Sequence, residues 1–166
     1  KAVILGHSMG CQVVLDFWRR YPDRVAAMIP ICGSYGRPID RFFDSPRLWR
    51  PIFDVMYLLA TNFPDAFEAV NRPLLKTAIP YEIAKYSGTI NPMLATRDDL
   101  RPYFEHLSVM NQQVFFFMAG EMQRHSAKPW LKKIDVPVLV VGGEIDRFTP
   151  LVISVEMRDE IPDAEL

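Results

Sequence analysis

Two periods of hydrophobicity divide the chain. Residues 2–5 (AVIL) are an unbroken apolar run ending at Gly6, the pattern of a short strand buried on both faces in a parallel sheet. Over residues 9–21 the spacing changes. Val13, Val14, Phe17, Trp18 and Tyr21 recur at helical intervals while Gln12, Asp16, Arg19 and Arg20 face elsewhere, which predicts an amphipathic helix stopped by Pro22. Residues 25–31 are a second apolar run, closed by the turn-rich CGSYGRP at 32–38. A third run, VPVLVV at 136–141, admits Pro137 only near its start, because proline cannot donate a ladder hydrogen bond. Past Gly142 and Gly143, Thr149 and Pro150 read as the N-cap and first residue of a last helix that ends before Pro162. Strand, helix, strand, then strand and helix again predict an α/β fold of parallel strands flanked by helices.

Residues 35–130 have another character. They hold 16 of the 20 aromatic residues and 9 of the 14 prolines, and no alternating strand pattern. Prolines break the segment into helical stretches expected near 46–62, 64–77, 79–87 and 98–124. The predicted layout is a core part at 1–34, a helical cap or lid insertion at 35–130, and a second core part at 131–166. Within the insertion, Val114, Met118 and Met122 share one helical stripe with Phe115, Phe116 and Phe117 beside it. Such a face, like Trp49, Phe53, Met56 and Tyr57, suits either ordinary cap core or the wall of an acyl pocket.

Composition narrows the partners. With 49% hydrophobic and 23% charged residues the chain can bury a core, and its 19 basic and 20 acidic side chains leave no footprint for nucleic acid. Cys11 and Cys32 are too few for a disulfide framework and lack metal-ligand spacing, so two buried thiols are expected. No run is long enough for a membrane span, and no signal peptide is visible. Location stays unassigned, with the cytoplasm favoured, because residue 1 falls within a strand and a targeting segment could precede it.

Gly6-His7-Ser8-Met9-Gly10 matches G-x-S-x-G, a pattern that sets serine on a sharp turn between a strand and a helix. The flanking glycines would let strand and helix approach closely, and the helix N-terminus would direct free N–H groups at a developing oxyanion. The motif stands directly after an apolar run and opens an amphipathic helix, the context this chemistry requires. A carboxylate just beyond an apolar strand end, Asp146, occupies the place where α/β sheets carry functional groups, although aspartate also suits a turn there. Glu144 is the reserve.

AVILGHSMG at 2–10, YPDRVAAMIPI at 21–31 and VPVLVVGGEIDRFTP at 136–150 together resemble three landmarks of the α/β-hydrolase family, in that family's order. The resemblance implies a partial α/β-hydrolase fold with Ser8 as nucleophile on its elbow, the N–H of Met9 as an oxyanion donor, and Asp146 as the triad acid. Order in that fold is Ser, then Asp or Glu, then His, and no histidine follows Asp146. The chain also opens at what resembles the family's fifth strand. Base and second oxyanion donor are therefore expected outside these 166 residues, which alone should have negligible activity. His7 adjoins Ser8 and would diverge from it, while His106 and His125 read as ordinary solvated or hydrogen-bonded histidines of the insertion. Serine at the elbow disfavours the branches that place Asp or Cys there. The implied activity is cofactor-free and metal-free hydrolysis of a small, apolar ester or similar carbonyl by an esterase or lipase. Peptidase, carbon–carbon-bond hydrolase and perhydrolase stand behind it, and a non-catalytic small-molecule receptor on the same fold is the rival of another class.

Overall fold

A computed structural model describes the backbone of residues 1–166 and every side chain except those of Asp44 and Pro46. Four parallel strands, β1 (Ala2–His7), β2 (Val25–Ile31), β3 (Val138–Leu139) and β4 (Ala164–Glu165), form one sheet in the order β1-β2-β3-β4. Helix α1 (Gly10–Arg20) joins β1 to β2, and α7 (Leu151–Glu160) joins β3 to β4. Between β2 and β3 lie α2 (Pro46–Asn62), α3 (Pro64–Leu75), α4 (Ile79–Tyr86), α5 (Arg97–Val109) and α6 (Gln112–Arg124).

The chain forms two compact units, one of residues 1–50 with 121–166 and one of residues 51–120. Residues 35–50 and 121–130, read from composition as part of the insertion, belong to the first. The cause is local pairing: Gly36 bridges Ser126, and the Ala127 N–H donates to the Tyr35 carbonyl at 2.7 Å.

The core of the first unit lies on one face of the sheet. Leu15 and Trp18 of α1, Met28 of β2, Val138 and Val140 of the β3 run, and Met157 of α7 are all buried there. Register places Val3 and Leu5 on the opposite face with Ile29 and Leu139, and these strand residues are not buried on both sides as expected: Val3 is 54% and Leu5 60% exposed. No helix covers that face among the described residues of this unit. The inward side of α1 also differs from the expected one. Cys11, Val14, Leu15 and Trp18 point inward at i, i+3, i+4 and i+7, whereas Val13 and Tyr21 are exposed. Gln12, expected outside, is buried because its side-chain amide donates to the Met122 carbonyl at 3.1 Å.

In the second unit the helix expected at 98–124 is two helices. Met110 leaves α5 in an extended conformation (ψ 149°), and the Asn111 side chain accepts the Val114 N–H at 2.9 Å, which starts α6 afresh. Prolines do not all act as breaks: Pro64 opens α3, but Pro51, Pro73 and Pro102 lie inside helices, each forgoing one ladder hydrogen bond. Phe116 packs on Phe67 at 5.4 Å and on Phe53 at 6.5 Å, while Val114, Phe117 and Met118 on the same helix remain exposed.

Candidate active site

Ser8 sits at the junction of β1 and α1 with φ at 55°, the left-handed region that a non-glycine residue enters at a cost of about 1–2 kcal/mol. Hydrogen bonds on both sides hold it there. Its N–H donates to the Ile31 carbonyl at 3.0 Å, and its carbonyl accepts from the Cys11 N–H at 3.0 Å, so the turn is fastened to both β2 and α1. Ser8 itself is exposed at the carboxyl edge of the sheet. Met9 follows in helical geometry (φ −56°, ψ −28°), and among the described residues its N–H has no hydrogen-bond acceptor.

The two motif glycines are not equivalent. A Cβ on Gly6 would lie 2.2 Å from the Gly10 carbonyl oxygen, so only glycine lets β1 pass this close to the first turn of α1. A Cβ on Gly10 would meet nothing within 4 Å, against the expectation that both glycines serve the close approach. A third glycine, Gly33, does for the elbow what Gly10 does not, since its Cβ would stand 2.3 Å from the Ser8 carbonyl.

Cys11 braces the same turn. Its thiol, fully buried, donates to the Gly6 carbonyl at 3.1 Å, and burial pushes its pKa up to about 12, which keeps it protonated and unreactive. Cys32, expected buried, is only half so, because it leaves β2 in a left-handed turn (φ 43°).

Asp146 stands in the loop after β3. Strand β2 separates the two residues: the Cys32 N–H donates to the Val141 carbonyl at 2.8 Å, so the β3 run ends beside β2 as β1 does. Ser8 and Asp146 are thereby brought to one carboxyl edge, on strands two spacings, roughly 10 Å, apart. One carboxylate oxygen of Asp146 accepts the N–H groups of Phe148 at 2.8 Å and Thr149 at 2.9 Å, and the other accepts the Thr149 hydroxyl at 2.8 Å. Thr149 therefore serves the carboxylate and does not cap the helix. Pro150 occupies the N-cap position without a side-chain bond, and α7 begins at Leu151, one residue later than expected. Three bonds fix the carboxylate while a carboxylate pair offers about four acceptor positions, so one remains for a further donor. Glu144 is exposed and has no such partners among the described residues.

The histidines are not gathered at Ser8. His7 is exposed, and among the described residues no hydrogen bond joins any histidine to the Ser8 hydroxyl. His106 is exposed on α5 of the second unit. His125 belongs to the first unit, where its ring stacks edge-on against Trp130 at 5.6 Å and both ring nitrogens are buried without a hydrogen-bond partner among the described residues. It is thus neither solvated nor hydrogen-bonded as expected. Burial pushes its pKa below the ordinary 6.5, with Asp16 opposing and Arg19 adding to the shift. Among the described residues no His, Cys, Asp and Glu cluster could hold a metal ion, and no helix is long and apolar enough to cross a membrane.

Thr149, Phe148 and Gly33 are site residues that hydrophobic patterning did not reveal. The Asp-x-x-Thr spacing at 146–149 was the one available signal, since a carboxylate reaching a hydroxyl three residues on is a local turn chemistry.

A family model described as the alpha/beta hydrolase fold matches residues 1–166. The chain is 26% identical over 174 residues to a 2-hydroxy-6-oxononadienedioate/2-hydroxy-6-oxononatrienedioate hydrolase of Paraburkholderia phymatum, covering 99% of this chain and 53% of that protein. It is 25% identical over 161 residues to a pimeloyl-(acyl-carrier protein) methyl ester esterase of Hamiltonella defensa, covering 96% and 56%. Among solved structures, a hydrolase from Oleispira antarctica shares the fold with a TM-score of 0.69 at 14% identity, over 99% of this chain and 55% of that one. The chain spans about half the length of the curated relatives it matches.

Proposed function

Because the chain belongs to the alpha/beta hydrolase fold family, we propose that the protein to which these residues belong is a serine hydrolase acting on an ester or similar carbonyl. The observation that carries this reading is Ser8: exposed, in a left-handed turn between β1 and α1, beside a Met9 N–H that lacks an acceptor. Ser8 Oγ attacks the carbonyl carbon, and its proton passes to a histidine that the reading requires from outside these residues. Asp146 accepts the other ring N–H of that histidine and steadies the imidazolium. The Met9 N–H donates to the oxyanion of the tetrahedral intermediate, whose collapse expels the leaving group with the returned proton. Water then repeats the sequence on the acyl-enzyme and frees Ser8. Phe42 packs on Phe148 at 4.6 Å beside Asp146, and this aromatic surface favours an apolar acyl or leaving group.

Hydrolysis of p-nitrophenyl butyrate by the whole protein tests the assignment. Ser8→Ala and Asp146→Asn should each lower kcat on the order of 10³- to 10⁴-fold. Full activity in Ser8→Ala would refute it. The relatives named as 2-hydroxy-6-oxononadienedioate hydrolases support a second reading, a carbon–carbon-bond hydrolase acting next to a ketone. That enzyme would turn over a 2-hydroxy-6-oxo dienoate far faster than the p-nitrophenyl ester.

A further inference from the structure

After β2 the chain does not pass directly into the helices; residues 35–50 first run along the segment that carries Asp146. Three kinds of contact tie the two together. The Tyr35 hydroxyl donates to Glu156 of α7 at 2.6 Å, and Arg41 pairs with the other oxygen of the same carboxylate at 3.1 Å. Burial, and then the hydrogen bond to Glu156, push the Tyr35 pKa up to about 12, so this tie persists across the working range of an enzyme. Closer to the acid, the Phe43 N–H donates at 2.8 Å to the carbonyl of Arg147, the residue next to Asp146. The Phe43 ring then lies between Phe148, at 5.4 Å, and Trp49, at 4.9 Å.

Phe43 holds this place in a left-handed conformation (φ 51°, ψ 26°), where a bulky side chain is an outlier. Such a conformation persists only where the surroundings over-determine it, and the hydrogen bond to Arg147 with rings on two sides does so here. The residue on which Phe43 rests is also the one that matters to the acid, because the Phe148 N–H is a donor to Asp146. We propose that Phe43 is a positioning residue for the triad acid: it clamps Arg147 and Phe148 so that the Phe148 and Thr149 donors hold the Asp146 carboxylate at the angle its histidine partner needs. This rests on the reading of Asp146 as that acid.

Kinetics of the whole protein with p-nitrophenyl butyrate test the clamp. Phe43→Ala should lower kcat about 10- to 100-fold with KM changed less than about twofold, the scale of loss when a reacting group is slightly misplaced. An acid that no longer faces its histidine stabilises the imidazolium less, so the acidic limb of the kcat/KM profile should move to lower pH. Phe43→Gly, which accepts the left-handed backbone but lacks the ring, should match Phe43→Ala, and Phe43→Tyr should restore the parent rate. Phe43→Leu keeps apolar bulk without the planar ring, and should show the same pH shift if Phe43→Ala proves too unstable to purify. In an Asp146→Asn background the Phe43→Ala change should cost less than about twofold. An unchanged kcat and pH profile in Phe43→Ala, or an undiminished loss in the Asp146→Asn background, would overturn the clamp while leaving the acid in place. Full activity of Asp146→Asn would overturn the acid assignment and the clamp with it.

Discussion

On the proposed reading Asp146 has two claims on its carboxylate, a local turn and a catalytic partner, and its three local bonds leave an acceptor position for the second. Phe148 and Thr149 supply three donors from the next turn of the same loop, which pins both oxygens before any histidine arrives. Thr149→Val keeps the shape of the side chain and removes only the hydroxyl bond. It should cost about 1 kcal/mol of stability in urea unfolding and lower kcat several-fold. An unchanged kcat would mean that the two backbone donors suffice. His125 sets a different test. Both of its nitrogens are buried without a partner among the described residues, and burial holds its pKa below the 6.5 of the unfolded chain, so the unfolded state binds the proton more readily. Its contribution to stability is present above pH 6.5 and is lost as pH falls through the folded-state value. Melting temperature measured from pH 7.5 to 5 should fall less steeply in His125→Phe than in the parent; equal slopes would assign the acid sensitivity elsewhere. At this scale the serine was legible because the strained turn needs glycine at position 6, directly after an apolar run. The clamp on Asp146 was not, because Phe43 and Arg147 meet only through the fold.

The strand-to-helix turn shows what hydrophobic patterning can and cannot resolve about an element. β1, α1, β2 and the β3 run lie where the two periods place them, yet α1 is rotated from its expected face. Tyr21 and Val13 are apolar enough to mimic an inward stripe, while Gln12 is drawn in by one carbonyl of the α6 chain. Both motif glycines look alike in sequence, and only one faces backbone. Gly6→Ala should destabilise the protein by about 3 kcal/mol or more, or prevent its purification, because backbone at 2.2 Å cannot yield as a side chain would. Gly10→Ala should stay within about 1 kcal/mol of the parent. Similar melting temperatures for the two variants would contradict this account of the elbow. The break between α5 and α6 was hidden from the sequence because its signal is one asparagine in an otherwise helical stretch. Asn111→Ala should lower stability by about 1 kcal/mol through loss of the bond to the Val114 N–H.

Within the first unit, the sheet has one packed face and one whose apolar side chains are exposed. Parallel sheets are ordinarily covered on both sides, and Val3, Leu5, Leu139 and Val141 leave an apolar surface in register across β1 and β3. The 166 residues by themselves should bind an apolar dye such as ANS, and Leu5→Lys should reduce that binding. The fold class was readable from pattern alone because each strand run is short, apolar and followed by a turn. The division into units was harder to place, since residues 35–50 share the aromatic composition of the helices yet pair with the core. The proposed function rests on Ser8 as the nucleophile. The most direct test is to treat the whole protein with a fluorophosphonate and map the modified tryptic peptide. The adduct should fall on the peptide of residues 2–19, at Ser8, and disappear in Ser8→Ala. A folded protein that binds its ligand but takes no label, or labels at another serine, would contradict the account.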